Sequence, residues 1–195
     1  MLISRRVFVC GLAATPFATR AQPASRAQQL IAAARRQVGV TVTYDPAYSR
    51  LGFPGGDVPR GKGVCTDVLI RAYRDAFGVD LQALVNADMR RAFGAYPKRW
   101  GLARPDSNID HRRVPNLQTF LSRKGVARPV SGNAVDWAPG DIFTSMIGGR
   151  LPHTGIVSDR RRAGGRPLVI HNIGRGAQEE DALFAYPLTG HYRWT

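Results

Sequence analysis

Cysteine is almost absent: the 195-residue chain has two, Cys10 and Cys65. A disulfide scaffold is thereby excluded, and the length is enough for one domain to bury an apolar core without staples. Acidic residues are also few, 14 Asp and Glu against 28 Lys and Arg, for a formal charge of +14. That excess favours polyanionic partners such as nucleic acid, anionic lipid or the acidic polymers of a cell envelope. Nucleic acid is set aside, because the chain has no zinc-finger, helix-turn-helix or aromatic RNA-binding motif and its first residues read as an export signal. The four histidines show no paired metal-ligand spacing, and no phosphate-cradling glycine motif or nucleotide fingerprint occurs. Neither a metal nor a cofactor is expected. Repeats, low-complexity tracts and linkers are absent as well.

What is present begins with "MLISRRVFVCGLAATPFATRA", a basic start, an apolar stretch from Val7 to Ala18 and a small-residue end. This is the pattern of a secretory leader, since the apolar run is too short to cross a bilayer. The pair Arg5-Arg6, after Ser4, resembles the twin-arginine export signal. Residues 1–21 are expected to be a leader and 22–195 a single exported domain, periplasmic or secreted, with no stable membrane anchor. Lipidation of Cys10 is disfavoured, because bulky Phe8 and Val9 precede it and the apolar run continues past it. Losing Arg5, Arg6 and Arg20 removes three positive charges and no negative ones, leaving +11, with Cys65 as the sole thiol. A lone cysteine in an oxidising compartment invites intermolecular pairing unless it is sheltered or useful.

Helical spacing is expected from Ser25 to Val38, with Ser25 as N-cap and Leu30, Ile31 and Ala34 on one stripe. A short strand, Val40 to Tyr44, leads into a long loop dense in Gly and Pro. After Cys65, the apolar residues Val68, Leu69, Ala72, Tyr73 and Ala76 fall at helical spacing and Gly78 ends the run, so the cysteine lies in the first turn of a helix. A helix from Leu81 to Phe93, capped by Asp80, and a shorter one near Pro115 follow. From Asp136 the texture changes to short β-rich runs: Asp141 to Ile147, His153 to Asp159, Pro167 to Ile173, Leu183 to Leu188 and His191 to Trp194. The fold class expected is α+β, with N-terminal helices packed on a C-terminal antiparallel meander.

A thiol at a helix N-terminus meets partial positive charge and free amides, which lower its pKa and can line an oxyanion hole. The ordinary alternative is a small buried hydrophobe. His153 and His171 lie on adjacent strands joined by "RRRAGGR", so Cys65, His153 and His171 supply a nucleophile, a base and an orienting group. Asn172 is the alternative third member, because neighbours on a strand point to opposite faces. In "NIDHRR", Asp110, His111, Arg112 and Arg113 form either a clamp for a substrate carboxylate or a structural ion-pair cluster. His191 and Arg193 in "GHYRW" read as structural.

The run "PGDIFTSMIGGRLPHTGIVSDRRRAGGRPLVIHNIG" resembles the second half of NlpC-type cell-wall cysteine peptidases. More closely, "GVCTDVLIRAYR", "NIDHRRVPNLQTF", "HTGIV", "VIHNIG" and "GHYR" resemble the bacterial secreted family called domain of unknown function 1287, over nearly all the chain after the leader. The resemblance implies a papain-like fold with Cys65 as nucleophile, His153 as base and His171 as orienter. It departs from the peptidases at Val64-Cys65-Thr66-Asp67, where they carry Asp-Cys-Ser-Gly, and lacks their tyrosine before a Gly-Gly. Tyr44 or Tyr48 is expected to substitute for that hydroxyl at the oxyanion hole. The function expected is an exported cysteine hydrolase cleaving amide bonds, with the peptidoglycan stem peptides of the envelope as substrate. The alternatives are an acyltransferase or lipid or thioester hydrolase on the same fold, and a non-catalytic envelope-binding module.

Overall fold

Helix α1 (Arg26–Arg35) starts where its capping residue stands. The Ser25 hydroxyl accepts from the Gln28 amide at 3.2 Å, and the Gln28 side chain accepts from the Ser25 amide at 2.7 Å. This reciprocal pair satisfies two otherwise orphaned donors. The structure, a computed structural model, describes residues 23–195; the expected leader and Cys10 lie outside the described residues.

Helix α2 (Cys65–Phe77) is the central element: every residue from Cys65 to Tyr73 is buried. It stops at Gly78, whose φ of 65° is a left-handed conformation that glycine adopts without a Cβ penalty. Helix α3 (Leu81–Arg91) is capped by Asp80 and ends two residues before the expected Phe93, because Ala92 leaves helical geometry and a 3-10 turn, Phe93–Ala95, takes over. Helix α4 (Val114–Arg123) carries Pro115 in its first turn, where a missing N–H is harmless.

Strands β1 (Thr43–Tyr44) and β2 (Lys62–Gly63) form a short parallel pair. The main sheet contains β3 (Ala127–Arg128), β4 (Ile142–Ile147), β5 (Leu151–Arg161), β6 (Pro167–Asn172), β7 (Ala177–Glu180) and β8 (Leu188–Tyr192), in the order β3-β8-β4-β5-β6-β7. All its pairs are antiparallel. The α+β class holds, but the meander covers only β4 to β7, and the last strand returns to the far side of β4. The expected strand from Leu183 to Leu188 does not form. Leu183 is instead buried from a turn-rich return against Trp137 and Phe143. The polar stretch Ala177–Glu180 is the strand instead, and as the sheet's edge it can carry charge on the pleat.

Ile142, Ile156 and Ile170 sit side by side across β4, β5 and β6, and they pack with Leu30, Val68 and Leu117 from the helices. Each such side chain contributes about 1.5–3 kcal/mol on burial. Strand alternation turns Phe143, Val157 and Val169 the other way, into a smaller cluster with Trp137 and Leu183.

The long loop before Cys65 is irregular but tightly held. Arg71, 0% exposed, forks onto Asp57 and donates to the carbonyls of Val58 and Lys62 and to the Thr41 hydroxyl. Gln82 accepts from the Gly56 amide and donates to the Gly52 and Ser107 carbonyls. A Cβ at Gly56 would overlap the Gly52 carbonyl oxygen, so only glycine fits there. These bonds fix the approach to Cys65 without regular structure.

Candidate functional site

Cys65 is the first residue of α2, and Asp67, in the same turn, accepts the Val64 amide at 2.7 Å. Val64 has no side-chain acceptor, so the first amides of the helix stay near the sulfur. The sheet reaches the same point from the other side. Asn172, at the end of β6, donates to the Gly63 carbonyl at 3.0 Å, and the Ala177 amide donates to the Thr41 carbonyl at 2.7 Å. Cys65 thereby comes near Thr154 of β5, one residue beyond His153.

Burial dominates the thiol. It is pushed up to about 11, against the opposing pull of the Thr154 amide. Asp67 adds to the rise, and the amides of Thr66 and Cys65 itself oppose it. The depression expected from a helix N-terminus is therefore outweighed, because an uncompensated thiolate in this enclosure loses more hydration than those amides return. The resting cysteine is a protonated thiol.

His153 and His171 come together as the hairpin predicts: His153 Nε2 lies 2.8 Å from His171 Nδ1, and the rings are edge-on at 5.0 Å. His171 Nε2 lies 3.0 Å from Glu180 Oε1 on β7. A carboxylate only accepts, so His171 donates from Nε2 and, as a neutral ring, accepts at Nδ1. His153 must then carry its proton on Nε2. Its Nδ1 is left as a lone pair with no hydrogen-bond partner among the described residues. Burial, and then His171, pushes His153 down to about 3, and burial also lowers His171, with Glu180 opposing. Both rings rest neutral.

His153 and Cys65 are not joined by a hydrogen bond. Each lines its own cavity, of about 300 Å³ at Cys65 and about 330 Å³ at His153, and Tyr44 and Pro152 stand in the wall of both. Tyr44 is 38% exposed, and its phenol is pushed up to about 12, first by partial desolvation and next by Cys65 once that thiol has ionised. Tyr48 is elsewhere. More than half exposed, it accepts from Asn108 Nδ2 at 2.9 Å and donates to Asp106 at 3.1 Å, bracing the loop.

The "NIDHRR" stretch divides in two. Arg112 and Arg113 line the cavity at Cys65. Asp110 instead accepts the Asp106 amide at 2.6 Å and Arg113 at 2.8 Å, and burial pushes its carboxyl up. His111 is buried, has no partner at Nδ1, and is pushed down to about 4 by burial. Arg112 forks onto Asp67 at 2.9 and 2.8 Å, so the departure at Asp67 is a built ion pair two residues from the thiol. Asn172 faces Gly63 and Gly174 rather than the histidines, which leaves His171 as the partner of His153. His191 and Arg193 both bind the fully buried Asp141, at 2.7 Å each, and Trp137 stacks on His191 at 3.8 Å. They are structural.

A family model described as "Domain of unknown function (DUF1287)" matches residues 31–194. The chain belongs to this family. It is also 56% identical over 161 residues to the "Uncharacterized protein YijF" of Escherichia coli (strain K12), covering 83% of this chain and 78% of that protein. The DUF1287 match spans the helix of Cys65, both histidines and Glu180. Sequence reasoning missed Glu180, Trp100 and Arg99. For Glu180 the one available signal was its place six positions after the turn residue Gly174, on a segment that a hairpin returns alongside His171.

Proposed function

We propose that this DUF1287 protein is an exported cysteine hydrolase of papain-like, NlpC-type architecture that cleaves amide bonds, with peptidoglycan stem peptides as substrate. The observation that carries the reading is the tautomer chain from Glu180 through His171 to His153, which presents a bare Nδ1 on the strand whose next residue, Thr154, lies near the Cys65 sulfur. A neutral thiol and a neutral imidazole call for general-base catalysis rather than a preformed ion pair. On substrate binding, His153 Nδ1 takes the thiol proton as Cys65 Sγ attacks the carbonyl carbon. The imidazolium then protonates the leaving amine and leaves a thioester, which water hydrolyses with His153 again as base. Catalytic hydrogen bonds often tighten only with substrate in place, which suits the unjoined Cys65 and His153. The Tyr44 hydroxyl and the first amides of α2 would face the oxyanion. The basic surface suits a carboxylate-rich polymer, and the leader-like first 21 residues suit work outside the cytoplasm.

The deep burial of the thiol favours one rival, a non-catalytic envelope-binding module in which Cys65 is core. The test is digestion of purified peptidoglycan by the protein without its leader, followed by mass spectrometry of released fragments. Hydrolysis that disappears in both Cys65→Ala and His153→Ala supports the enzyme. Equal release by wild type and Cys65→Ala, or binding without release by wild type, rejects it.

A further inference from the structure

We infer that the segment 90–104, "RRAFGAYPKRWGLAR", is the surface that docks the envelope polymer, holding carboxylates of a peptidoglycan strand while one stem peptide enters the cavity at Cys65. The choice of polymer rests on the hydrolase reading; the cationic surface does not. The segment carries Arg90, Arg91, Lys98, Arg99 and Arg104 and no acidic residue. The ion pairs on either side, of Asp88 with Arg123 and of Asp110 with Arg113, use other arginines, and none of the five cations joins an ion pair among the described residues. The flanking carboxylates are turned elsewhere. Asp88 accepts from Arg123 at 2.7 and 3.1 Å and from the Tyr96 hydroxyl at 2.6 Å, and Asp106 accepts from the Tyr48 hydroxyl at 3.1 Å and the Asn108 amide at 2.9 Å. Like charges gathered without counter-charge repel one another, and a polyanion relieves that repulsion.

The helix end accounts for part of this charge, since Arg90 and Arg91 sit in the last turn of α3, where cations are favoured. It does not account for Lys98, Arg99 and Arg104, which lie in the irregular chain beyond. Aromatic contacts hold this stretch in place: Lys98 Nζ lies 3.8 Å over the Phe93 ring and donates to the Phe93 carbonyl at 2.9 Å, and the Arg113 guanidinium lies 4.0 Å over the Trp100 ring. Groups placed beforehand lose less freedom on binding. The segment also spans two openings. Arg90, Phe93 and Arg104 line a cavity of about 510 Å³, and Arg99 and Trp100 line the one of about 300 Å³ at Cys65. A small ligand with one carboxylate would occupy one of them, whereas a polymer with carboxylates repeated along it reaches both, and linked contacts reinforce each other.

The test is co-sedimentation of the full chain, carrying Cys65→Ala to stop turnover, with insoluble peptidoglycan and with the same peptidoglycan after its carboxyls are converted to amides. The first is expected to bind, less tightly as salt rises, and the second to lose binding. Arg90→Gln, Arg99→Gln and Arg104→Gln together should weaken binding by about tenfold, the scale of three exposed charge contacts. Arg36→Gln, Arg128→Gln and Arg161→Gln remove the same charge at the end of α1, on β3 and on β5, and should change it by less than about twofold, because salt screens distant charges. All six residues are exposed, so both triple variants keep the fold. No binding to peptidoglycan, equal binding of the amidated polymer, or equal losses in the two triple variants overturns the proposal. So does binding through the first three arginines to phosphatidylglycerol vesicles but not to peptidoglycan. The hydrolase reading fails separately: binding through this segment without digestion sinks the enzyme and keeps the surface. Digestion by the chain with Cys65 intact, at an unchanged dependence on peptidoglycan concentration in the first triple variant, sinks the surface and keeps the enzyme.

Discussion

His171 Nδ1 sits 2.8 Å from His153 Nε2, and Glu180 holds the far nitrogen of His171 at 3.0 Å. The carboxylate thereby decides which nitrogen of His153 is bare, although it touches only His171. On the proposed hydrolase reading, Glu180 is a positioning residue.

Replacing it tests that role. Glu180→Gln is expected to free the tautomer, since an amide can donate as well as accept. Nitrogen-15 shifts of the His153 ring should move from a single protonated Nε2 to a mixture. Any peptidoglycan-cleaving activity should fall by about 10–100-fold, the usual scale for an orienting partner of a functional histidine. A His153 ring that keeps its tautomer in Glu180→Gln would show that the carboxylate is a bystander.

The resting thiol should titrate high. Iodoacetamide alkylation of Cys65, followed by mass spectrometry across pH 6 to 10, is expected to keep accelerating above the roughly 8.5 of a free cysteine, because burial pushes the thiol up to about 11. A plateau at neutral pH would mean that a thiolate–imidazolium pair is already formed, and the general-base step would be wrong.

Three buried neutral histidines should make the fold sensitive to mild acid. His153 is pushed down to about 3, His111 to about 4, and His171 is lowered as well, in each case mainly by burial. Near pH 6.5 an unfolded chain binds protons that these folded rings refuse. Stability should therefore be full above that pH and fall as pH drops toward the folded values, by up to about 1.4 kcal/mol per pH unit for each ring. The lowered carboxyls of Asp45, Asp75, Asp88 and Glu179 act at more acid pH and the raised Asp110 carboxyl works in the opposite direction, so a loss of stability in urea between pH 7 and 5 comes from the histidines. His111→Gln should flatten the dependence. A curve unchanged by that substitution would contradict the assignment.

Gly155 on β5 lies between Phe143 of β4 and His171 of β6. A Cβ there would come within 2.8 Å of the His171 Cβ, the Ile170 carbonyl oxygen and the Phe143 ring. Gly155→Ala is expected to destabilise the protein by about 1–3 kcal/mol, as overpacking does, and to broaden the His171 ring resonances. Unchanged thermal stability would show that the sheet gives way at no cost.

Asp67 and Arg112 form a buried pair, 3% and 2% exposed at their side chains. Asp67→Asn leaves a buried guanidinium uncompensated and should cost about 3–5 kcal/mol. Adding Arg112→Gln should recover part of that loss. Additive losses in the double variant would mean that the two side chains do not act as a pair.

Most of the helical architecture was legible in order. Ser25, Asp80 and Gly78 are local signals, set by one cap or one φ, and the stripe of Val68, Leu69 and Ala72 has only one way to be buried. The β5–β6 hairpin that joins His153 to His171 was legible for the same reason. Strand β7 was not, because an edge strand needs no apolar alternation, and with it Glu180 stayed hidden. The return of β8 to β4, the placing of Tyr44 rather than Tyr48 beside Cys65, and the division of "NIDHRR" depend on contacts between residues far apart in the chain. The sign of the Cys65 shift went the same way. A cysteine opening a helix says that amides surround the sulfur, but only packing decides how much water is removed, and here desolvation outweighs the helix end.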